Sequence, residues 1–319
     1  MDSFTLQAGD GKRIHVYRWL PGGPPRAVVQ IAHGMGEHAG RYDRLARALT
    51  EAGYAVYAND HRGHGGTADP ERLGWMGEDG WNRVIADAGD LTNHIRETHP
   101  GRPVVLLGHS MGAMMSQQYL YRYGSRIDAA VLSGSPGMAG AIQSWISRTL
   151  ARFERWRLGP EAESALMQSL LFGKSNKAFD GPAATGYEWL SRDPDEVQAY
   201  VDDPRCGFVL RCGSLCDLFA GAREAKHMEN VLQIPPALPL YVFSGSDDPV
   251  HAEGRNLERL LARYRRHLQH LHYRLYDGGR HEMLNETNRD EVVQDLLGWL
   301  DGTLPDVGSG TPVTAASPN

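Results

Sequence analysis

Apolar residues along this chain fall into two alternating patterns. Short unbroken runs at Ala27 to Ala32, Tyr54 to Ala58, Val104 to Leu107, Ala129 to Ser133 and Leu238 to Phe243 have the length of strands buried on both faces. Between them, apolar positions recur every three or four residues, as amphipathic helices require. Tyr42 to Ala52 places Leu45, Ala48 and Leu49 on one face, with Gly53 as a stop. Asn82 to Thr98 is a second helix, closed by His99-Pro100-Gly101. Ala113 to Tyr123 is a third, and further helices are expected near 252–265 and 290–300. Ile14 to Trp19 reads as an early antiparallel strand and Tyr273 to Tyr276 as a late one. Repeated strand-helix units predict an α/β fold: a mostly parallel sheet of about eight strands with helices on both faces.

The alternation stops between about Pro136 and Met228. This stretch lacks a convincing strand but carries Trp145, Phe153, Trp156, Leu170, Leu171, Phe172, Trp189 and Phe208. It is expected to form a helical cap, residues 136–228, inserted into a core of residues 1–135 and 229–302. Residues 303–319, rich in Gly, Ser, Thr and Pro, are expected to be a disordered tail. Within the cap, Ile142 to Trp156 has helical spacing. Ile142, Trp145, Ile146, Leu150, Phe153 and Trp156 share an arc of about 140°, flanked by Arg148, Arg152 and Arg155. Any surface helix is amphipathic, so this face is read as packing on the core with a solvated arginine edge. The alternative is a lid helix that docks on a lipid surface.

Composition narrows the class. In 319 residues, 33 Lys and Arg face 39 Asp and Glu, a formal net charge of −6 with no basic tract, which argues against nucleic-acid binding. Met1-Asp2-Ser3-Phe4-Thr5 does not read as a secretory signal, and no apolar stretch approaches the ~20 residues of a membrane span. A cytoplasmic protein is expected, with transient membrane contact through the cap as an option. Three cysteines, Cys206, Cys212 and Cys216, are too few for a disulfide framework. Their spacings, with no His among them, read as free thiols.

The chemistry starts at Gly108-His109-Ser110-Met111-Gly112. Ser110 follows a buried strand and precedes a helix, and no other serine has Gly at both −2 and +2. That context is a nucleophile elbow, which lifts a strained serine hydroxyl to the carboxyl end of a sheet. A serine needs a base, and the base needs a carboxylate to orient it, in the chain order Ser, acid, His. The strand Tyr273 to Tyr276 leads to Asp277-Gly278-Gly279-Arg280-His281, which makes His281 the base. The strand ending at Phe243 leads to Ser244-Gly245-Ser246-Asp247-Asp248-Pro249, where either Asp247 or Asp248 can serve. An oxyanion hole needs two backbone N–H groups. Met111 supplies one, and the loop His33-Gly34-Met35-Gly36-Glu37-His38 supplies the other through Met35, with Gly34 and Gly36 allowing the tight turn. His33, His38, His61, His64 and His109 crowd this region. Their spacing is not a helical i,i+4 pair, so they are read as a hydrogen-bonded scaffold and not as metal ligands. Glu37 and Arg41 are candidates for a supporting ion pair.

These segments together resemble the monoglyceride lipase and lysophospholipase branch of the α/β-hydrolase superfamily. The resemblance rests on His33 to His38 with Arg41-Tyr42, Asp60-His61-Arg62-Gly63-His64-Gly65, the Gly108 to Gly112 elbow, Gly245-Ser246-Asp247-Asp248, and Gly279-Arg280-His281-Glu282-Met283-Leu284-Asn285-Glu286. It spans roughly residues 10 to 300. It implies an α/β-hydrolase fold with a helical cap over a substrate cleft, and acyl-ester substrates. In the family pattern the fourth residue of the G-x-x-D loop is the catalytic acid, which is Asp248 here. The cap around Trp189-Leu190-Ser191-Arg192-Asp193-Pro194 is similar to that of bacterial members. The expectation is a cofactor-free serine hydrolase acting through an acyl-enzyme, with a monoacylglycerol as substrate. Alternatives are a broad carboxylesterase or lysophospholipase, an acyltransferase, or a slow-turnover ligand sensor on the same fold. Oligomeric state is left open.

Overall fold

A computed structural model describes residues 1–179, 181–182 and 184–305. Its centre is one eight-stranded sheet in the order β1-β2-β4-β3-β5-β6-β7-β8. The strands are β1 (Asp2–Gln7), β2 (Arg13–Trp19), β3 (Ala27–Ala32), β4 (Tyr54–Asn59), β5 (Val104–His109), β6 (Ala129–Ser133), β7 (Leu240–Gly245) and β8 (Leu271–Tyr276). β1 and β2 pair antiparallel, as do β2 and β4; every other pairing is parallel. Seven strands coincide with the expected segments to within a few residues. The eighth, β1, was not assigned from sequence. Its outward residues meet water, so it lacks the unbroken apolar run of a central strand.

The two faces are packed by alternate residues of each strand. On one face Val28, Leu106, Ala130 and Val242 meet helices α2 (Gly80–Thr98), α3 (Met111–Tyr123) and α10 (Arg255–Tyr264) through Val84, Leu91, Met115, Leu120, Leu257 and Leu261. On the other, Val29, Ile31, Val105, Leu107 and Phe243 meet α1 (Asp43–Glu51) and α11 (Arg289–Thr303) through Leu45, Leu49, Val292 and Leu296. These strand positions are essentially solvent-free, and each such Val or Leu contributes about 1.5–3 kcal/mol of transfer free energy. Because both faces are covered, neither face of these strands shows a polar alternation.

Between β6 and β7 the chain forms α4 (Ala141–Leu158), α5 (Ala165–Gln168), a π-helical turn at Ser169–Gly173, α6 (Lys174–Asn176), α7 (Pro194–Asp202), α8 (Cys212–Glu224) and α9 (Met228–Val231). There is no strand here among the described residues. Phe172, Trp189, Leu190 and Tyr200 make a small cluster of their own, but Leu215 and Leu218 of α8 pack with Trp81 and Val84 in the main core. The chain after β8 also departs from expectation: α11 continues to Thr303, so the tail cannot begin there, and residues 306–319 lie outside the described residues.

The reading of α4 as packed on the core is corrected. Its apolar arc is turned to solvent: Ile142 is 76% exposed, Trp145 65% and Trp156 80%. Only Ala151 and Glu154 of this helix are buried. Glu154 is held there by Arg157 and by the Ser164 hydroxyl, which donates to it at 2.6 Å. The inward face thus uses a small residue, a neutralised acid and the half-buried Leu150, and Ile142, Trp145, Ile146, Phe153 and Trp156 are left outside.

Candidate active site

The strand order locates the site. From β3 the chain steps outward to β4 on one side, then returns to lay β5 on the other. In open α/β sheets, ligands bind beyond the carboxyl ends of strands at such a reversal. Here that point is shared by the loop after Ala32 and the turn at Ser110, brought level by the pairing of Ala32 with Gly108.

Ser110 sits between β5 and α3 with φ +53° and ψ −112°, a conformation that ordinarily costs an L-residue about 1–3 kcal/mol. Its N–H donates to Ser133 O at 3.0 Å, which ties the strained turn to β6. The helix crosses the sheet so closely that a Cβ on Gly112 would lie 1.9 Å from Ala32 O. This is why the elbow requires glycine at that position.

Ser110 Oγ lies 2.9 Å from His281 Nε2, and His281 Nδ1 lies 2.9 Å from Asp248 Oδ2. Asp248 also accepts from the Ser244 hydroxyl at 3.0 Å and from Val250 N–H at 2.9 Å. Asp247 is exposed, and its carboxylate accepts from the Ser246 hydroxyl at 3.1 Å. The choice between neighbouring acids is therefore made by the turn after β7. A Cβ on Gly245 would stand 1.9 Å from Gly279 O, so the acid loop and the histidine loop lie in direct backbone contact. Asp248 is completely buried. Burial alone would raise its pKa, but the adjacent His281 holds it below the usual carboxylate range. Burial likewise works against a charge on His281, and the Asp248 carboxylate overcomes it, raising the imidazole above its ordinary value.

The loop after β3 is pinned from several sides. Glu37 accepts from Gly34 N–H at 2.6 Å and from the Tyr42 hydroxyl at 2.9 Å. Arg41 donates to Glu37 at 2.6 Å and to both oxygens of Glu282 at 2.7 and 2.8 Å, forming a buried charged triplet. Gly36 has φ +66°, and its carbonyl accepts from the Tyr200 hydroxyl at 2.8 Å. His33 Nε2 accepts from His61 N–H at 3.0 Å, while its Nδ1 lies 2.8 Å from Gly34 O. His61, His64 and His109 are fully enclosed. Burial pushes them down to about 3, about 4 and about 4, so their rings stay neutral at ordinary pH and act as packed hydrogen-bonding plates. His109 Nδ1 lies 3.3 Å from Ser133 Oγ, and its ring stands 4.9 Å from that of His281.

Met35 and Met111 both line the cavity that opens onto Ser110. Met111 is the first residue of α3, where a helix has no internal acceptor for an N–H. Neither backbone N–H donates to a protein acceptor among the described hydrogen bonds. The cavity measures about 430 Å³. Leu170, Leu171, Phe172, Leu215, Leu218 and Phe219 form its apolar part, and Glu37, His109 and Glu282 a polar edge beside His281.

Three contributors are not evident from local pattern. The Trp189 ring lies 4.9 Å from the His281 ring, and Trp189 O accepts from His281 N–H at 3.3 Å. Leu190 O accepts from Glu282 N–H at 2.8 Å, so the cap fixes the histidine loop directly. Glu282 stood next to His281 in the sequence, but its pairing with Arg41 spans 241 positions. Cys206 also has neighbours the linear spacing hid: His38, Asp203 and Cys206 approach one another closely enough to share an ion. Two facts weigh against that use. Asp203 is already engaged by His38 and by three bonds from Arg205, and burial pushes the Cys206 thiol up to about 12, away from the thiolate a metal needs.

Residues 23–288 match the family model described as Serine aminopeptidase, S33. A monoacylglycerol lipase of Mycolicibacterium smegmatis is 31% identical over 296 residues, covering 91% of this chain and 93% of its own length. The chain belongs to the monoglyceride lipase branch of the α/β-hydrolase superfamily. A monoglyceride lipase of Mus musculus is 26% identical to this hydrolase over 317 residues, 96% of this chain and 93% of that one. A solved carboxyl esterase of Bacillus coagulans, in complex with glycerol, superposes with a TM-score of 0.86 at 26% identity, over 95% of this chain and 98% of its own. The protein is a carboxylic-ester hydrolase.

Proposed function

We propose that this hydrolase cleaves monoacylglycerols through a Ser110–His281–Asp248 triad and an acyl-enzyme. The observation that carries the reading is the unbroken 2.9 Å hydrogen-bond chain from Ser110 Oγ through His281 to Asp248, ending at an apolar cavity. His281 Nε2 takes the proton from Ser110 Oγ as the oxygen attacks the ester carbonyl. The backbone N–H groups of Met35 and Met111 receive the developing oxyanion, each such donor being worth ~10²–10³ in rate. His281 then gives its proton to the leaving glycerol oxygen, and Ser110 holds the acyl group as an ester. Water, deprotonated by the same Nε2, attacks that ester and releases the fatty acid and free Ser110. Asp248 keeps Nδ1 protonated and offsets the imidazolium charge.

The cavity supports this substrate class. A single acyl chain matches the apolar part between Leu170 and Phe219, and a hydroxylated alcohol matches the edge at Glu37, His109 and Glu282. The relatives named monoacylglycerol or monoglyceride lipase support the same choice. A second reading, a broad carboxylesterase, draws on the TM-score of 0.86 to the carboxyl esterase. The exposed apolar arc of α4 further supports catalysis at a lipid interface. No helix among the described residues is long and apolar enough to cross a membrane, so contact would be from one side.

The test is hydrolysis of p-nitrophenyl esters from acetyl to palmitoyl, alongside 1-monoacylglycerols, by wild type and Ser110→Ala. Preference for monoacylglycerols with no activity in Ser110→Ala is expected. A maximum at acetyl or butyryl would move the assignment to the esterase. Folded protein without turnover on any ester would overturn both.

A further inference from the structure

The cavity at Ser110 has a neighbour. A second, of about 730 Å³, lies between the start of α4, the end of α8 and α10. Six cations line it: Arg148, Arg223, Lys226, Arg259, Arg263 and Arg266. No carboxylate lines it, and none of the six pairs with one among the described residues. What holds them is neutral. Arg259 donates to the Asn256 side chain at 3.0 Å, Arg263 to Lys226 O, and Lys226 to Ala139 O at 3.2 Å. In a chain of net charge −6, six cations gathered without an acid are a local excess that an anion would relieve. The Lys226 ammonium records the cost: burial first, and then repulsion from Arg148, lower its pKa.

Two further observations say which anion. Lys226, Ser144 and Ala139 also line the active-site cavity, so the basic cavity adjoins it. Trp145 lines the basic cavity too, and it belongs to the exposed apolar arc of α4 with Ile142 and Ile146. An apolar ridge beside an unpaired basic seat is the complement of a leaflet with anionic headgroups. We propose that this cavity seats the phosphate of an anionic phospholipid while α4 lies in the membrane interface, aligning the acyl entrance with the bilayer. The inference rests on the interfacial reading of α4 given above. The phosphate is a ligand of the docking surface and not of the catalytic chemistry.

The experiment is co-sedimentation of the full chain with vesicles of phosphatidylcholine alone or of equal parts phosphatidylcholine and phosphatidylglycerol. Wild type is compared with Arg223→Ala/Arg266→Ala, whose two exposed arginines touch neither Ser110 nor its cavity, and with Ile142→Ser/Trp156→Ser. Each cation near an anionic surface is worth about fivefold in partition (~1 kcal/mol), so the arginine variant should lose about 25-fold on the anionic vesicles. Its weaker binding to phosphatidylcholine, and its hydrolysis of a dissolved p-nitrophenyl ester, should be unchanged. The α4 variant should lose binding to both vesicles. Equal binding of wild type and arginine variant to anionic vesicles would overturn the phosphate seat and leave the interfacial reading standing. No binding of wild type to either vesicle would overturn both. Tight calorimetric binding of glycerol 3-phosphate, abolished in the arginine variant and without preference for anionic vesicles, would reassign the seat to a soluble phosphate compound and overturn the lipid assignment.

Discussion

Ser110 is held at φ +53°, ψ −112°, and that strain can be measured apart from the chemistry. Ser110→Ala and Ser110→Gly both delete the hydroxyl and its 2.9 Å contact with His281, so those losses cancel in the comparison. They differ in backbone. Alanine keeps a Cβ in a conformation that costs about 1–3 kcal/mol, whereas glycine populates positive φ freely. Glycine loses more chain entropy on folding, about 0.5–1 kcal/mol relative to alanine. The balance makes Ser110→Gly more stable than Ser110→Ala by up to about 2.5 kcal/mol. For a chain of this length that is up to about 4 °C in Tm. The assay is parallel thermal and urea unfolding of the two variants, both inactive on esters. If Ser110→Gly unfolds clearly below Ser110→Ala, the elbow is not strained, and the argument that strain positions the Ser110 hydroxyl fails.

Asp248→Asn should lower kcat on a p-nitrophenyl ester by about 10⁴, because the amide cannot hold the same imidazole tautomer, while Asp247→Asn should leave it within twofold, since Asp247 points to solvent. In the pH profile of kcat/KM, the acid limb should fall above the ordinary imidazole value near 6.5, because Asp248 raises His281 and only the neutral ring can accept the serine proton; a limb below that value would contradict the pairing. The linked stability has the opposite sense: the imidazolium–Asp248 attraction is fully present below about pH 6.5 and is lost as pH rises through the raised value in the folded protein, which urea titrations of Ser110→Ala across this range can follow. Arg41→Met should destabilise the fold by about 3–5 kcal/mol, measured by urea unfolding, because it leaves Glu37 and Glu282 buried without their cation.

Much of the fold was legible because the sheet is parallel. Central strands such as β5 and β6 are apolar on both faces, which makes a run like Val104 to Leu107 stand out from any surface element. β1 escaped for the converse reason: at the sheet edge, with exposed and half-buried residues alternating, it leaves a weak signal. The elbow at Ser110 was legible because its geometry is local; strand, glycines, serine and helix lie within one short segment. Asp248 was ambiguous by residue type, since both acids share a loop and only the backbone contact of Gly245 with Gly279 turns one inward.

The sequence alone determined the periodicities, and with them the layered α/β core, the place of the insertion and the chain order of Ser110, acid and His281. These follow from rules acting within a few residues: apolar spacing, turn glycines and the strand-to-helix elbow. Only the tertiary structure decided what depends on surfaces meeting from far apart in the chain. It laid Trp189 over His281 and joined Arg41 to Glu282 across 241 positions. It also turned most of the apolar arc of α4 outward and gathered six cations, from α4, α8, α10 and the residues just after α8 and α10, into one cavity without a carboxylate partner among the described residues. An amphipathic pattern states that a helix has an apolar side; whether that side meets a core or a lipid depends on which neighbours have already filled the interior, and here Leu150, Ala151 and the neutralised Glu154 face it.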